Sequence, residues 1–301
     1  MTKGGRVAYW FAETMVLSHD PGQREELRQY AAEALKGLYC GEPTISPFAG
    51  GRAEALRRLE AFDAERYDSQ HGSVSQPGSS GLSPYIRHGL VSLREVHQSV
   101  VSRFGAGRCR GFILQLLWHV FWHARSRERG GVLALIESAQ EQHGGNGAAP
   151  KSTECSSGET AEHAPAPAVP SASASPLVHV PETGLYCIDE SLRQLRATGF
   201  IPFQARLWVA AYLLHWRGMG WREGYRLFQQ HLVDADPVVN ASCWLWVMGQ
   251  LSGRAYVFNR ANVKQHTSGE YCARCTAYRC PFEGRLDSVE ERARKLGAGA
   301  R

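Results

Sequence analysis

The sequence predicts an all-α fold, a multi-helical domain carrying an internal insertion. Three observations carry this. Apolar residues recur at spacings of three and four over most of the chain. No stretch alternates apolar and polar residues as a half-buried strand does, and no hairpin turn joins two such stretches. Aromatic residues fall four apart on two separate segments, at Trp118 and Trp122 and at Trp208, Tyr212 and Trp216.

Within residues 1–46, otherwise irregular, the stretch from Glu25 to Leu38 places Leu27, Ala31, Leu35 and Leu38 on one side of a helix. From Gly51 onward Ala55, Leu56, Leu59 and Phe62 recur at helical spacing with Arg and Glu between them. The polar run from Asp68 to Ser80 reads as a loop. Ser83-Pro84 starts the next helix, with proline at the favoured first position. Ser92 with Glu95 forms a capping box before Val96, Val100 and Val101. The very apolar helix from Phe112 to Arg125 is expected to be buried. Residues 144–175 are Ala, Pro, Ser, Gly and Glu with almost no large apolar side chain, too little to offset the entropy of ordering, and read as a disordered insertion. After it, Asp189 is expected to cap a helix bearing Leu192 and Leu195, which Gly199 stops. Further helices are expected from Phe203 to Trp216 and from Trp221 to Leu232. The turn Asp234-Ala235-Asp236-Pro237 leads into a last one holding Trp244 and Trp246.

Composition narrows the class without choosing a function. The chain has 301 residues, 43% hydrophobic and 21% charged, enough for one large domain or two small ones. Its net charge of +5 is mild and permits nucleic-acid binding without arguing for it. No apolar run approaches the roughly 18 residues of a membrane span. Met1 to Met15 lacks the apolar core of a secretory signal. Eight cysteines, scattered except for one cluster, do not resemble a disulfide framework, so a reducing compartment is expected. Which compartment that is cannot be read from the residues.

Four separated segments point to one family. The first runs from Phe48 to Phe62, with Tyr67 after it. The second is Ser79-Ser80-Gly81-Leu82-Ser83-Pro84-Tyr85-Ile86-Arg87-His88-Gly89. The third is Gln115-Leu116-Leu117-Trp118-His119. The fourth runs from Thr183-Gly184 through Arg193-Gln194-Leu195 and Trp221-Arg222-Glu223-Gly224 to Asp234, Asp236, Asn240, Trp244 and Trp246. Together they resemble the C-terminal, FAD-binding helical domain of the DNA photolyase and cryptochrome family. The segments keep the family's order on both sides of residues 144–175, which therefore read as an insertion inside one domain. The expected organisation is an irregular segment over 1–47, the helical domain over 48–259 and a cysteine-containing tail over 260–301. The family's α/β antenna domain has no counterpart in the first 47 residues.

The resemblance implies FAD as cofactor and gives residues roles. Hydroxyls and N–H groups before a helix suit an anion, and the resemblance makes that anion the FAD diphosphate, held by Ser79, Ser80, Gly81, Leu82 and Ser83 with Tyr67 nearby. By themselves these residues read better as a capped helix after a turn, since a Ser-rich helix start is common. Arg206 would pair with Asp234 beside the isoalloxazine ring, with Asp234 and Asp236 along its pyrimidine edge; Asp-x-Asp-Pro alone is a surface turn with a helix cap. Asn240 matches the residue near flavin N5, where an amide biases the radical states. Gln115 and His119 complete the cofactor set. Trp244 and Trp221 match the inner two members of the family's electron-transfer tryptophans, and with Asn240 they form the expected catalytic group. No Trp stands at the outer place, before Val178. Gln115, Trp118 and Trp246 match the rim that receives a flipped pyrimidine dimer, with aromatic faces to stack on and an amide to grip it. Large aromatics at helical spacing equally signify core packing.

The sequence also departs from the family. His119 stands where photolyases usually have Arg, and Phe200-Ile201-Pro202-Phe203-Gln204-Ala205-Arg206 replaces Trp-x-His-Asn-Arg-x-Arg. Phe203 removes an amide that contacts flavin and lesion alike. Three functions compete on this basis: light-driven repair of pyrimidine dimers in DNA, a non-repairing cryptochrome-like photoreceptor read by a protein partner, and a scaffold that binds no flavin. A monomer without membrane association is expected. Cys272, Cys275 and Cys280 are spaced Cys-x2-Cys-x4-Cys, with His266, Cys243 and Cys187 as candidate fourth ligands. Some bacterial members of the family carry an iron–sulfur cluster. Three clustered thiols without an obvious fourth ligand are nevertheless expected to be free, with no metal.

Overall fold

The apolar spacing becomes helices nearly everywhere it was read. A computed structural model describes residues 24–36, 46–70, 72–74, 78–131, 134 and 178–299, and the insertion expected at 144–175 lies outside them. Among the described residues every regular element is a helix. The first group is α1 (Arg24–Ala34), α2 (Arg52–Ala61), α3 (Tyr67–Gln70), α4 (Ser83–Arg87), α5 (Leu93–Phe104) and α6 (Arg110–Glu128). The second is α7 (Tyr186–Thr198), α8 (Phe203–His215), α9 (Trp221–His231), α10 (Pro237–Val247), α11 (Arg260–His266), α12 (Glu270–Ala273) and α13 (Leu286–Gly299).

Local chemistry sets the helix ends. The Ser92 hydroxyl accepts from the Glu95 N–H at 3.1 Å and the Glu95 carboxylate accepts from the Ser92 N–H at 2.8 Å, closing the expected capping box on α5. Gly199 ends α7 with φ 70°, and a Cβ there would stand 2.6 Å from Val233 Cγ1. Asp189, in contrast, does not cap α7. It lies in the first turn, and its carboxylate reaches back to accept from the Thr183 N–H, the Gly184 N–H and the Thr183 hydroxyl, each at 2.9 Å. The side chain pins the chain entering the helix, while Leu185 occupies the cap position.

Two apolar cores result. Ala55, Leu59, Tyr85, Val96, Val100, Phe112 and Leu116 build the smaller one from α2, α4, α5 and α6. The larger surrounds α8, which is buried at Ala205 and from Leu207 to Leu213 and is packed by α7, α9, α10 and α13. Burial on all sides is why α8 has no polar stripe. The stretch expected as a tail contributes Val263, Tyr271 and Phe282 to this core, and Val289 and Ala293 of α13 are buried as well. Phe282 anchors it, with its ring centroid 4.3 Å from that of Phe258 and 5.1 Å from that of Trp216.

The expectation that α6 is buried is corrected. Phe112, Leu116 and Ser126 are buried, but Leu114, Leu117, Trp118, Val120 and Phe121 are exposed. The helix is apolar all round and is packed by α3, α5 and α10, which leave its other faces open.

The two cores meet at residues 233–235. His88 Nε2 lies 2.8 Å from the Val233 carbonyl, Arg87 Nε donates to the Ala235 carbonyl at 3.0 Å, and the Ser83 hydroxyl donates to Asp234 Oδ2 at 2.6 Å.

Burial holds the pKa values of His119, His215 and His231 below the ordinary imidazole value. Between each lowered value and the unfolded value of about 6.5 the unfolded chain binds more protons, so stability rises with pH there and is lost as pH falls. Urea unfolding is therefore expected to show a chain less stable at about pH 5 than at about pH 7, with a shallower slope in His215→Gln.

Candidate functional site

The site is organised by one carboxylate. Asp234 leaves α9 through a short turn and is buried. Its Oδ2 accepts from Arg206 Nη2 at 2.8 Å and from the Ser83 hydroxyl, joining α8 to α4. Arg206 is held in turn by donating from Nε to the Ile201 carbonyl at 2.9 Å. Asp234 Oδ1 is buried without a hydrogen-bond partner. Two residues on, Asp236 caps α10, its Oδ1 accepting from the N–H groups of Val238 and Val239, with Pro237 at the first helical position.

Two cavities open beside this hub. One of about 80 Å³ is lined by Arg206, Asp234, Asp236, Asn240 and Trp244, the residues expected at the flavin ring. The other, of about 310 Å³, is lined by Gln115, Trp118, His119, Trp122 and Trp246, which include the whole expected lesion rim. Phe203, Val239 and Cys243 line both. The sequence singled out neither Trp122 nor Val239 as a site residue, and Cys243 only as a candidate fourth metal ligand. It noted Phe203 only as a lost amide, whereas the structure stands its half-exposed ring between the cavities.

The tryptophans differ in setting. Trp244 is buried and its indole N–H has no partner. Its ring lies over Gly224, where a Cβ would come within 2.2 Å of it. Trp221 is buried at the start of α9, with its ring 6.3 Å from that of Tyr225. The Tyr225 carbonyl accepts from Asn240 Nδ2 at 3.1 Å, which fixes the orientation of that amide. Trp118 is half exposed and stacks on Trp122 at 5.7 Å, and Trp246 packs on Tyr256 at 5.4 Å.

The expected diphosphate group stands apart from both cavities. None of Tyr67, Ser79, Ser80, Gly81 or Leu82 lines either one. Tyr67 packs its ring 5.1 Å from Phe112, and Leu82 is fully buried in the smaller core. The hydroxyls of Ser79 and Ser80 accept from the N–H groups of Gly81 and Leu82 at 3.3 Å, taking the donors an anion would meet. Ser83 is drawn to the ring site through Asp234.

The residues at the small cavity fit a flavin edge. A buried unpaired carboxylate oxygen, a fixed guanidinium, an oriented amide and an unpaired indole N–H belong to residues lining one small cavity, and such groups interact more strongly wherever a ligand excludes water.

A third cavity, of about 410 Å³, lies among the thiols. Cys187 of α7 joins Cys272, Cys275 and Cys280 in lining it, with Tyr271 and Phe282. This removes the reason for expecting free thiols in a loose tail, because the fourth thiol comes from a helix 85 residues upstream. Cys243 lines the other cavities, and His266 packs against Trp208. Among the described residues no three of the sulfurs lie within 4.8 Å of one another. A single tetrahedral zinc, with zinc–sulfur bonds of about 2.3 Å, needs them closer. Burial and the neighbouring thiols push the Cys187 thiol far up, so a metal there must displace its proton.

Comparison with known proteins points to one family and one fold. The family described as the FAD binding domain of DNA photolyase matches residues 179–274. A cryptochrome DASH, chloroplastic/mitochondrial, from Ostreococcus tauri is 26% identical over 76% of this chain and 40% of its own length. A deoxyribodipyrimidine photo-lyase from Streptomyces griseus is 28% identical over 73% of this chain and 44% of its own. The chain thus spans about two fifths of the curated relatives it matches. Among solved structures, a bacterial class III photolyase from Agrobacterium tumefaciens superposes with a TM-score of 0.56 at 20% identity, covering 84% of this chain and 57% of that one. An archaeal photolyase from Sulfolobus tokodaii, described with two FAD molecules, gives 0.52 at 20% identity over 83% and 57%. Those two likenesses establish the fold.

The close approach at Trp244 yields a test. Gly224→Ala drives a methyl into the indole and is expected to destabilise the chain by about 1–3 kcal/mol in urea unfolding. Gly220→Ala, with open space at its Cβ, is expected to cost about 1 kcal/mol or less.

Proposed function

The chain belongs to the DNA photolyase and cryptochrome family, whose FAD-binding domain it carries, and from that premise we propose that it is a blue-light-responsive flavoprotein of photolyase type acting on pyrimidine dimers in DNA. The observation that supports this reading is the pair of adjoining cavities that share Phe203, Val239 and Cys243, one bordered by Arg206, Asp234, Asp236, Asn240 and Trp244, the other by Gln115, Trp118 and Trp246.

Bound FAD supplies blue-light absorption and reversible transfer of one electron to a dimer. The chain's own residues do the rest. Arg206, fixed by Asp234 and Ile201, would hold a positive charge beside the isoalloxazine ring and favour its reduced, anionic form. Asp234 Oδ1, unpartnered within the chain, would accept a ring N–H. Asn240 presents its amide with an orientation set by the Tyr225 carbonyl. Trp244 and Trp221 serve as electron donors from inside the core. The larger cavity, within the range of small-ligand sites, takes a flipped dimer between Trp118 and Trp246, with Gln115 hydrogen-bonding its base edge.

Phe203 favours a second reading, a photoreceptor without repair activity. Its ring stands between the two cavities and offers no hydrogen bond where the family's pattern has an amide. Purified protein is expected to be yellow with bound FAD. Under the first reading, reduced protein restores a dimer-containing oligonucleotide under blue light, and Phe203→Asn repairs it faster. Full flavin occupancy with reversible photoreduction, but no repair by either protein, overturns the first reading in favour of the second. A colourless protein overturns both.

The thiol cavity supports an iron–sulfur cluster as a further resident group, since four thiols around one space wider than a single ion needs are the donor set such clusters use. Anaerobically purified protein is expected to contain iron and acid-labile sulfide in equal amounts. Cys187→Ser is expected to lose both while keeping FAD; iron-free wild-type protein after anaerobic reconstitution would exclude the cluster.

A further inference from the structure

Opposite Asp236, α6 presents two imidazoles, His119 of the expected cofactor set and His123, which the flavin reading does not use. His119 and His123 are one helical turn apart on the same face of α6, with ring centroids 5.1 Å apart and planes inclined by 15°. His123 Nε2 lies 3.0 Å from Asp236 Oδ2. One ligand atom from each of His119, His123 and Asp236 falls within 4.8 Å of the other two, and among the described residues no other trio of such groups comes so close.

Three details separate this cluster from an ordinary histidine–carboxylate contact. First, the duties of Asp236 are divided: Oδ1 is committed to the α10 cap, which fixes the carboxylate and leaves Oδ2 turned towards the imidazoles. Second, His119 Nδ1 is buried without a hydrogen-bond partner, so the His123–Asp236 contact leaves a buried ring nitrogen unsatisfied. Third, His119 also borders the larger cavity, which gives an ion a way in and room for water as a further ligand. Neighbouring charges do not oppose a cation: the Asp236 carboxylate faces His119, the charge of Asp234 is matched by Arg206, and the guanidinium of Arg87 donates to the Ala235 carbonyl.

We propose that His119, His123 and Asp236 form a binding site for a divalent transition-metal ion of the zinc type, with an open coordination position towards the larger cavity. Two imidazoles at i and i+4 with one carboxylate are the ligands of borderline ions and not of magnesium or calcium, which prefer all-oxygen shells. Holding one carboxylate oxygen in a helix cap orients the other, as hydrogen bonds behind a ligand do in metal sites generally. The proposal needs only these three ligands; because Asp236 also borders the cavity assigned to flavin, it requires that Oδ2 of Asp236 stay available to the metal when flavin is bound.

Cobalt(II), a visible stand-in for zinc, tests it on the purified full chain, with flavin content measured in the same samples. One cobalt per chain is expected, with nitrogen and oxygen neighbours in its X-ray absorption spectrum and displacement by zinc. Sulfur neighbours would mark ions in the cysteine cavity instead, so the two sites are told apart without any variant. His123→Ala, at a half-exposed position, is expected to keep the metal-free unfolding midpoint and to weaken cobalt binding at least tenfold; His119→Gln is expected to weaken it similarly. The proposal is overturned if all bound cobalt has sulfur neighbours, if both variants bind like wild type, or if flavin-loaded protein binds none.

Discussion

The ion pair between Arg206 and Asp234, completed by the Ser83 hydroxyl, is the contact on which the rest of the molecule depends. Each of the three residues comes from a different part of the chain, and the carboxylate they share lies where the smaller core meets the larger. Arg87 and His88 grip the backbone on either side of it. A buried pair of this kind adds little net stability over apolar packing, because desolvation offsets most of the Coulomb gain. Its value here is geometric. With Oδ2 taken by the pair and the hydroxyl, Oδ1 is left facing a dry cavity with nothing to bind, a need that only a partner from outside the chain can meet.

Phe203 shows how one substitution divides a site. The guanidinium, the two carboxylates and Asn240 are all in place on one side of it, and the aromatic rim is in place on the other. An amide at this position reaches both spaces; a phenyl ring fills the boundary and is polar towards neither. The side proposed for flavin is therefore better equipped than the boundary with the side proposed for substrate.

What the sequence made legible follows the range of the interactions. Features set within four residues were read correctly: the Ser92–Glu95 box and the Gly199 stop. Asp189 was misread because reaching back from inside the first turn and standing at the cap use the same residue type, here four positions beyond the cap residue Leu185. The exposure of α6 was missed because apolar composition says what a helix would bury, not how many neighbours arrive to cover it. Cys187 was legible only as one of several candidates, since no local spacing selects a partner 85 residues from the nearest of the other thiols. His123 was not singled out and His119 was read only as a cofactor contact; Asp236, which completes the trio, comes from a different helix and was read only as a cap and a flavin contact.

The burial of α8 on every side has a consequence for what happens around it. Its residues Phe203, Arg206, Leu207 and Ala210 border the flavin cavity, while Tyr212 packs on Phe282, which borders the thiol cavity. The helix is thus a nearly water-free partition, about 10–12 Å thick with its side chains. Across such a spacing two unit charges at an effective dielectric constant of about 20 interact by on the order of 1 kcal/mol. An electron gained on one side therefore makes the next electron harder to place on the other, so two redox groups seated there would report each other's charge with no movement of the chain between them.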